Sequence, residues 1–226
     1  EKATKGLKDD LSKAKAIHKY ISEKILWNGD EDFTSSSGLR KVYNEEKGNN
    51  ADINMILIAM LRSLNIKADP VILCTRSNGT LNQLSAMLHQ FNYLVAYVNV
   101  GGENILVDAT NPLRPFDMLP FDCLNGSGRL INEFESKFVD LKNAEKSGTY
   151  FKLELSLNSE GVLAGDFIRR NKGYSGLDIR EQIKLEGEEG YGEMVRDGFS
   201  QADIADFVVK NLSQRDSDII ETSNVK

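Results

Sequence analysis

The segment from Asn50 to Leu64 constrains the fold of this chain more than any other. Its apolar residues recur at three- and four-residue spacing and cover a wide face, a pattern typical of a helix buried at the centre of a domain. A polar stretch leads into it, in which Asn49, Asn50 or Asp52 can cap the first helical turn. The apolar positions of the predicted helix are Ile53, Ile56, Leu57, Met60, Leu61 and Leu64.

Three predicted strands follow this helix, at residues 68–75, 91–100 and 104–109. The second strand is rich in β-branched and aromatic residues, and the dipeptide Gly101-Gly102 that joins it to the third is a hairpin signal. An amphipathic helix at residues 7–26 precedes these elements. The order of the elements therefore predicts helices beside a sheet that contains a hairpin.

The composition changes between Lys142 and Gly148, and we predict two domains there, residues 1–143 and 144–226. Beyond the boundary, apolar residues alternate with polar ones at 151–157, which is the pattern of a half-buried strand. A turn then returns the chain as the second arm of a hairpin. The further predicted elements are a helix at 177–185, an interruption at 187–192, and strands at 204–212 and 219–225, of which 204–212 also fits a helix.

The charge of the chain argues against several classes of partner. It carries 28 Lys and Arg residues against 34 Asp and Glu, a net charge of −6, without a basic cluster interleaved with aromatic residues. Nucleic acid and anionic membrane surfaces are therefore not expected partners. No apolar run approaches the roughly 20 residues that a membrane-spanning helix needs.

The two cysteines, Cys74 and Cys123, form neither a CxxC pair nor a cluster with histidine. A zinc site is therefore not expected, and the sequence calls for no other metal or cofactor. Two buried free thiols are the favoured interpretation, although a disulfide between them stays open. Cys74 lies in a predicted strand, whereas Cys123 lies in a loop rich in proline and glycine and is expected to be the more exposed.

Several short motifs over residues 10–132 resemble those of bacterial transglutaminase-like domains, which belong to the papain-like superfamily of cysteine nucleophiles. The stretch from Gly48 to Asp52 is similar to Gly-x-Cys-x-Asp, Phe91-Asn92-Tyr93 to Phe-Asn-His, and Val107-Asp108-Ala109-Thr110 to Leu-Asp-Ala-Thr. The resemblance implies an α+β fold with a central helix packed on an antiparallel sheet. It also implies that a smaller, β-rich C-terminal domain follows, and that this domain is incomplete here.

The resemblance fails at the residues that carry the chemistry. It places Asn50 where the family has its cysteine and Tyr93 where it has its histidine, and it retains Asp108 alone. An amide is not a nucleophile at neutral pH, and a phenol with a pKa near ~10 is a poor base there. An acyl-thioester mechanism needs both a thiolate and a base. We therefore predict a degenerate triad without catalytic residues, in which Asn50 caps the helix and Asp108 accepts a hydrogen bond from Tyr93 or caps the next turn.

Other residues near the motifs are weaker candidates for chemistry. His89 lies four residues before Tyr93, and a change of strand register would be needed to bring it into the site. A surface position is the simpler expectation for His89, and a partly buried helical position for His18. The residues that the resemblance places along the old cleft are Trp27, which is also a core candidate, Asp52, Asn92 and His89.

The leading functional hypothesis is a non-catalytic module with a binding or structural role in an exported bacterial protein, in the periplasm or cell envelope. Its old cleft would bind a peptide, a glycan or a protein partner. One alternative is a divergent cysteine-type amidase, protease or transamidase that uses His89 with Cys74 or Cys123. Another is an architectural spacer without a ligand. Because the chain opens at Glu1 without a signal-peptide pattern, we expect a fragment from which any targeting signal was removed.

Overall fold

A computed structural model describes residues 3–84, 87–143, 146–199 and 202–226. The chain divides into two compact units, residues 1–144 and 145–226. Ala144 and Glu145, which adjoin the predicted domain boundary, lie outside the described residues. The described chain combines α-helices with two larger antiparallel sheets, which confirms the predicted α+β class. None of the described helices is long and apolar enough to cross a bilayer.

The N-terminal unit begins with three helices and two very short strands. The first helix is capped by Asp9, whose carboxylate accepts the Ser12 N–H at 2.8 Å. The two short strands pair in parallel and bring the end of the first helix beside the start of the third. The elements are α1 (Asp10–Lys24), β1 (Leu26–Trp27), α2 (Leu39–Glu45), β2 (Lys47–Gly48) and α3 (Asn50–Ser63).

Both ends of α3 have a local physical cause. At its start, the Asn49 side chain accepts the Asp52 N–H at 2.8 Å, and the Asp52 carboxylate accepts the Asn49 N–H at 3.1 Å. This reciprocal capping box satisfies two backbone donors that the first turn leaves open. At its end, Asn65 adopts a left-handed φ of 60°, and the Ile66 N–H returns to the Leu61 carbonyl at 3.1 Å. The predicted central helix is confirmed with these bounds.

Helix α3 packs on a five-stranded antiparallel sheet in the order β5-β4-β3-β6-β7. Along β4, Leu94 and Ala96 face the helices, whereas Tyr93 and Val95 face a second apolar cluster. This alternation is the period of two expected of a strand buried on both faces. The strands are β3 (Ala68–Leu73), β4 (Tyr93–Val100), β5 (Glu103–Val107), β6 (Ser127–Leu130) and β7 (Phe138–Asp140).

The C-terminal unit is a four-stranded antiparallel sheet in the order β10-β11-β9-β8, with a kinked helix packed on it. The segment that fitted either a helix or a strand forms strand β10. The elements are β8 (Gly148–Leu157), β9 (Leu163–Lys172), α4 (Tyr174–Asp197), β10 (Ile204–Lys210) and β11 (Ile219–Val225).

The predicted interruption at 187–192 is wrong in its extent. Within α4, Gly187 leaves the helical conformation, with φ 76° and ψ 166°, so α4 consists of two helical segments that meet in a kink at Gly187, and the second segment runs to Asp197. Tyr191 and Val195 are buried in the apolar cluster between this helix and the sheet. Their packing outweighs the low helix propensity of the neighbouring glycines, which costs about 1 kcal/mol for each glycine.

Candidate functional site

Asn50 is fully buried at the first position of α3, and it is not the helix cap that the sequence predicted. Asn49 occupies the cap position instead, because its side chain lies outside the helix and reaches back to the first turn. The Asn50 side-chain oxygen accepts the Asp32 N–H at 2.7 Å. Its amide nitrogen, Nδ2, has no hydrogen-bond partner among the described residues. The residue at the family's cysteine position therefore fixes the preceding loop to the helix.

Asp52 strengthens the same connection between loop and helix. Its carboxylate accepts hydrogen bonds from the hydroxyl groups of Ser35 and Ser36, each at 2.6 Å, and from the Ser36 N–H at 3.1 Å. Burial raises the pKa of Asp52, but these hydrogen bonds and the one from the Asn49 N–H outweigh it and leave the pKa below its ordinary value. Asp52 thus lies beneath the segment that crosses the start of α3.

Asp108 follows the end of β5 and is fully buried, with hydrogen bonds to both carboxylate oxygens. One oxygen accepts the Tyr93 hydroxyl at 3.1 Å and the Asn54 amide at 2.8 Å. The other accepts the Thr110 N–H at 3.1 Å, the Thr110 hydroxyl and the Arg114 guanidinium. Both roles predicted for Asp108, accepting from Tyr93 and capping the next turn, are present. Five donors leave this carboxylate little capacity to orient a further group.

Tyr93 is buried on the face of the sheet opposite to α3, beside Cys123 in the second apolar cluster. Burial raises the pKa of the Tyr93 phenol well above its ordinary value, and the negative charge of Asp108 raises it further. The hydroxyl therefore stays protonated and donates a hydrogen bond to Asp108. The structure brings Tyr93 and Asp108 together, whereas the described hydrogen bonds of Asn50 go to the loop at Asp30 and Asp32.

Three residues of this network were missed by sequence reasoning. Asn54, on α3, donates to the Leu94 carbonyl at 2.9 Å as well as to Asp108, and its oxygen accepts the Ala109 N–H at 2.9 Å. His18, predicted to be partly buried, is fully buried, and its Nε2 lies 2.9 Å from the Asp108 carbonyl oxygen. The third is Arg114, the charge partner of Asp108. Asn54 interrupts the apolar face of α3, and that interruption was the available signal.

The thiols and the second histidine do not form a catalytic pair. Cys74 and Cys123 are both buried free thiols, not joined in a disulfide. The expectation that Cys123 is the more exposed of the two is therefore wrong. The loop around Cys123 folds inward as a short 3-10 turn, which places the thiol in the apolar cluster that contains Tyr93. Burial raises the pKa of Cys123 strongly, with Asp108 as a second cause. His89 lies on an exposed 3-10 turn at Leu88–Gln90.

Trp27 and Asn92, two other cleft candidates, make hydrogen bonds to neighbouring segments of the N-terminal unit. Trp27 is half-buried against the core and donates its indole N–H to the Asp30 carbonyl at 3.0 Å. Asn92 donates to the Glu31 carboxylate at 2.8 Å and accepts the Thr75 N–H at 2.9 Å. Burial raises the pKa of Glu31. Among the described residues, no three His, Cys, Asp or Glu side chains are arranged to hold a metal ion.

The replacement of Asp108 by asparagine is expected to lower the free energy of unfolding by ~3–5 kcal/mol, because it leaves the buried Arg114 guanidinium without its charge partner. Urea unfolding followed by fluorescence of Trp27, the one tryptophan in the chain, measures this loss. Asp140→Asn is the matched control, since Asp140 is exposed and its ion pair with Lys142 spans 3.4 Å. The control should cost about 1 kcal/mol or less. An equal loss of unfolding free energy in Asp108→Asn and Asp140→Asn would contradict a stabilising charge pair between Asp108 and Arg114.

Asp52 should make the stability of the unit depend on pH. Its pKa is lowered in the folded state, so its contribution is complete above the ordinary value of 3.8 and is lost as the pH falls through the lower folded value. The difference in unfolding free energy between wild type and Asp52→Asn should therefore shrink in acid. Urea unfolding at neutral pH and in steps below 3.8 measures it. Ser36→Ala removes the hydroxyl that donates to Asp52 and should partly reduce the pH dependence of the unfolding free energy. A difference independent of pH would contradict this assignment.

Comparisons with known proteins identify a family that the first part of the chain resembles. Residues 1–104 match the family model of the transglutaminase-like superfamily. No curated protein matches the chain. Among solved structures, the chain is similar to a proposed protease from Parabacteroides distasonis, with 11% identity and a TM-score of 0.40 over 99% of this chain and 47% of that protein. The chain thus spans about half the length of that structure.

The matched residues include the start of α3 with Asn50 and the start of β4 with Tyr93, and they end within β5, before Asp108. They also contain the capping box of α3 and the segment that crosses it. The predicted resemblance to transglutaminase-like domains is thereby confirmed over residues 1–104, which lie within the N-terminal unit.

Proposed function

We propose that the N-terminal unit is a non-catalytic transglutaminase-like module in an exported bacterial protein, and that its former triad positions now stabilise the fold. The observation that carries this proposal is the environment of Asp108. Its carboxylate accepts five hydrogen bonds and is neutralised by Arg114. A triad carboxylate has to accept a hydrogen bond from the ring of a histidine. Here the Tyr93 phenol and the Arg114 guanidinium donate to that carboxylate instead. The exported location is inferred from the family resemblance.

The two other triad positions support the same proposal. Asn50 offers no nucleophilic atom at neutral pH, and its side chain is hydrogen-bonded to the loop at Asp32. Tyr93 cannot act as a general base near neutral pH, because its buried phenol holds its proton more tightly than a phenol in water. Acyl transfer needs a nucleophile and a base in contact, and these positions supply neither.

The thiol alternative receives no support from the geometry. A nucleophilic cysteine has a lowered pKa and some exposure, so that the thiolate forms and reaches its substrate. Cys123 is fully buried and its pKa is raised. Cys74 is also buried, and its sulfur accepts a hydrogen bond from the Asn78 amide at 3.5 Å. His89 lies on an exposed turn.

We expect wild-type protein to hydrolyse and transamidate glutamine-containing peptides no faster than the Asn50→Ala variant, because neither protein carries a nucleophile at the start of α3. Ammonia release and amine incorporation measure the two reactions over a peptide panel. An active thiol transamidase, assayed in parallel, confirms that the panel and conditions report turnover. Turnover that Cys123→Ser or Cys74→Ser abolishes would overturn the proposal in favour of the thiol enzyme.

A second candidate function is the binding of a peptide or glycan at the same helix start. The favouring observation is the Asn50 Nδ2 group, a buried donor for which the described part of the chain offers no acceptor. Leaving such a donor unpaired costs about 1–3 kcal/mol, which a ligand carbonyl would recover. Because Asn50 is fully buried, a ligand would have to displace the segment that carries Asp32, Ser35 and Ser36.

This candidate predicts that a binding peptide or glycan raises the thermal midpoint of wild-type protein and not that of Asn50→Ala. Differential scanning fluorimetry with a peptide panel and a glycan panel measures the midpoints. Ser36→Ala is the informative companion, because a looser segment should strengthen binding of the same ligand. A midpoint shift that is equal in wild type and Asn50→Ala would place the ligand elsewhere.

A further inference from the structure

Strand β8 forms one edge of the C-terminal sheet and is exposed along almost its whole length. Its ten residues pair with β9, and its other side has no partner strand in the part of the chain that the structure describes. Nine of the ten residues are exposed. A long edge strand presents a row of unpaired backbone N–H and C=O groups, and proteins usually protect such an edge.

The opposite edge of the sheet is protected in that way. Strand β10 pairs with β11 through an irregular register between Ala205 and Val208. Asp206 lies in this irregularity, with a left-handed φ of 52°. A bulge and a charged side chain are two of the devices that prevent an edge from pairing with another chain. In β8, by contrast, the register with β9 is continuous from Gly148 to Leu157.

One face of β8 is apolar and uncovered. Phe151, Leu153, Leu155 and Leu157 alternate along the strand and are 60%, 53%, 42% and 67% exposed. Opposite Leu153, the register places Phe167, which is buried in contact with Phe199. The apolar face thus continues from the covered part of the sheet onto an edge that nothing described covers. A contiguous apolar patch of this kind marks an interaction surface.

The other face of β8 shows which partner fits. Lys152 and Glu154 lie on that face and form an ion pair within the strand at 2.8 Å, with side chains 61% and 62% exposed. In an antiparallel pair of two identical strands centred on Leu153, Lys152 of one copy lies opposite Glu154 of the other. The four charges then alternate in sign around a square. On the apolar face, the same register places Phe151 opposite Leu155.

Neighbouring registers lack this complementarity. Centring the pair on Lys152 places lysine opposite lysine, and centring it on Glu154 places glutamate opposite glutamate, which is destabilising in either case. A shift by a single residue places Lys152 opposite Leu153 and mixes the apolar and charged faces. Of these registers, the one centred on Leu153 satisfies both faces.

We propose that β8 is a self-association edge, which pairs antiparallel with β8 of a second copy of this chain about a two-fold axis at Leu153. Two four-stranded sheets join into one eight-stranded sheet. The backbone groups of the two edges satisfy each other, and the apolar faces of both copies become continuous. The interface is isologous, so each residue contact occurs twice. Self-association through strand addition takes its affinity from the backbone and its specificity from the side chains on the two faces.

The first test is a charge exchange measured by sedimentation equilibrium on the full chain. Lys152→Glu or Glu154→Lys alone makes all four central charges alike, and each should weaken the dimer at least about tenfold. The double variant restores alternation and should restore dimerisation. Lys210→Glu, on β10, makes the same change in net charge at the opposite edge and should leave dimerisation unchanged. These side chains are exposed, so circular dichroism should show intact folding in every variant.

The second test is a symmetric disulfide, for which the two buried native thiols give little background. Leu153→Cys places the two new thiols directly opposite each other and should yield a covalent dimer on mild oxidation. Leu155→Cys is the control, since its two copies lie about 13 Å apart along the strands in this register. Any of four results would overturn the proposal. The first two are a wild-type chain that stays monomeric at 100-fold the concentration of the cross-linking assay and a dimer whose affinity Lys152→Glu does not change. The other two are a double variant that does not regain dimerisation and equal cross-linking at positions 153 and 155.

Discussion

The buried carboxylate of Asp108 is the interaction on which the N-terminal unit depends. Its side chain and backbone connect α1 through His18, α3 through Asn54 and β4 through Tyr93. Placing a charge at a fully buried position is unfavourable unless an opposite charge and enough donors surround it. Arg114 supplies the charge. Because the partners of its carboxylate and its backbone carbonyl come from separate elements, Asp108 fixes where two helices and the sheet meet.

The start of α3 is likewise engaged by side chains of the fold itself. A helix N-terminus, with its free N–H groups and positive dipole end, favours a thiolate. Here the Asn49 and Asp52 side chains cap that end, and Asn50 accepts a backbone N–H from the segment that crosses it. The donors and charges that would serve a nucleophile are used within the fold. This use of the helix end is consistent with the proposed non-catalytic role.

Local sequence patterns predicted the helices and strands, but they did not predict contacts between residues that are far apart in the sequence. The helix over 50–63 and the hairpin of β4 and β5 follow from periodicity and a glycine turn, and the contact between Tyr93 and Asp108 follows from the hairpin. Asn54 and His18 meet Asp108 across 54 and 90 residues of sequence, which no local pattern encodes. The continuation of α4 beyond Gly187 likewise depends on the burial of Tyr191 against the sheet.

The C-terminal unit gives an independent reason to regard the Asp108 network as structural. Glu221 is fully buried there, and its carboxylate accepts hydrogen bonds from an arginine, a tyrosine hydroxyl and an asparagine amide. Asp108 is held by the same three kinds of group, supplied by Arg114, Tyr93 and Asn54. The unit that contains Glu221 lies outside the family match. The same donor set recurs there without the family's motif, which supports the proposal that Tyr93 and Asp108 belong to a structural network.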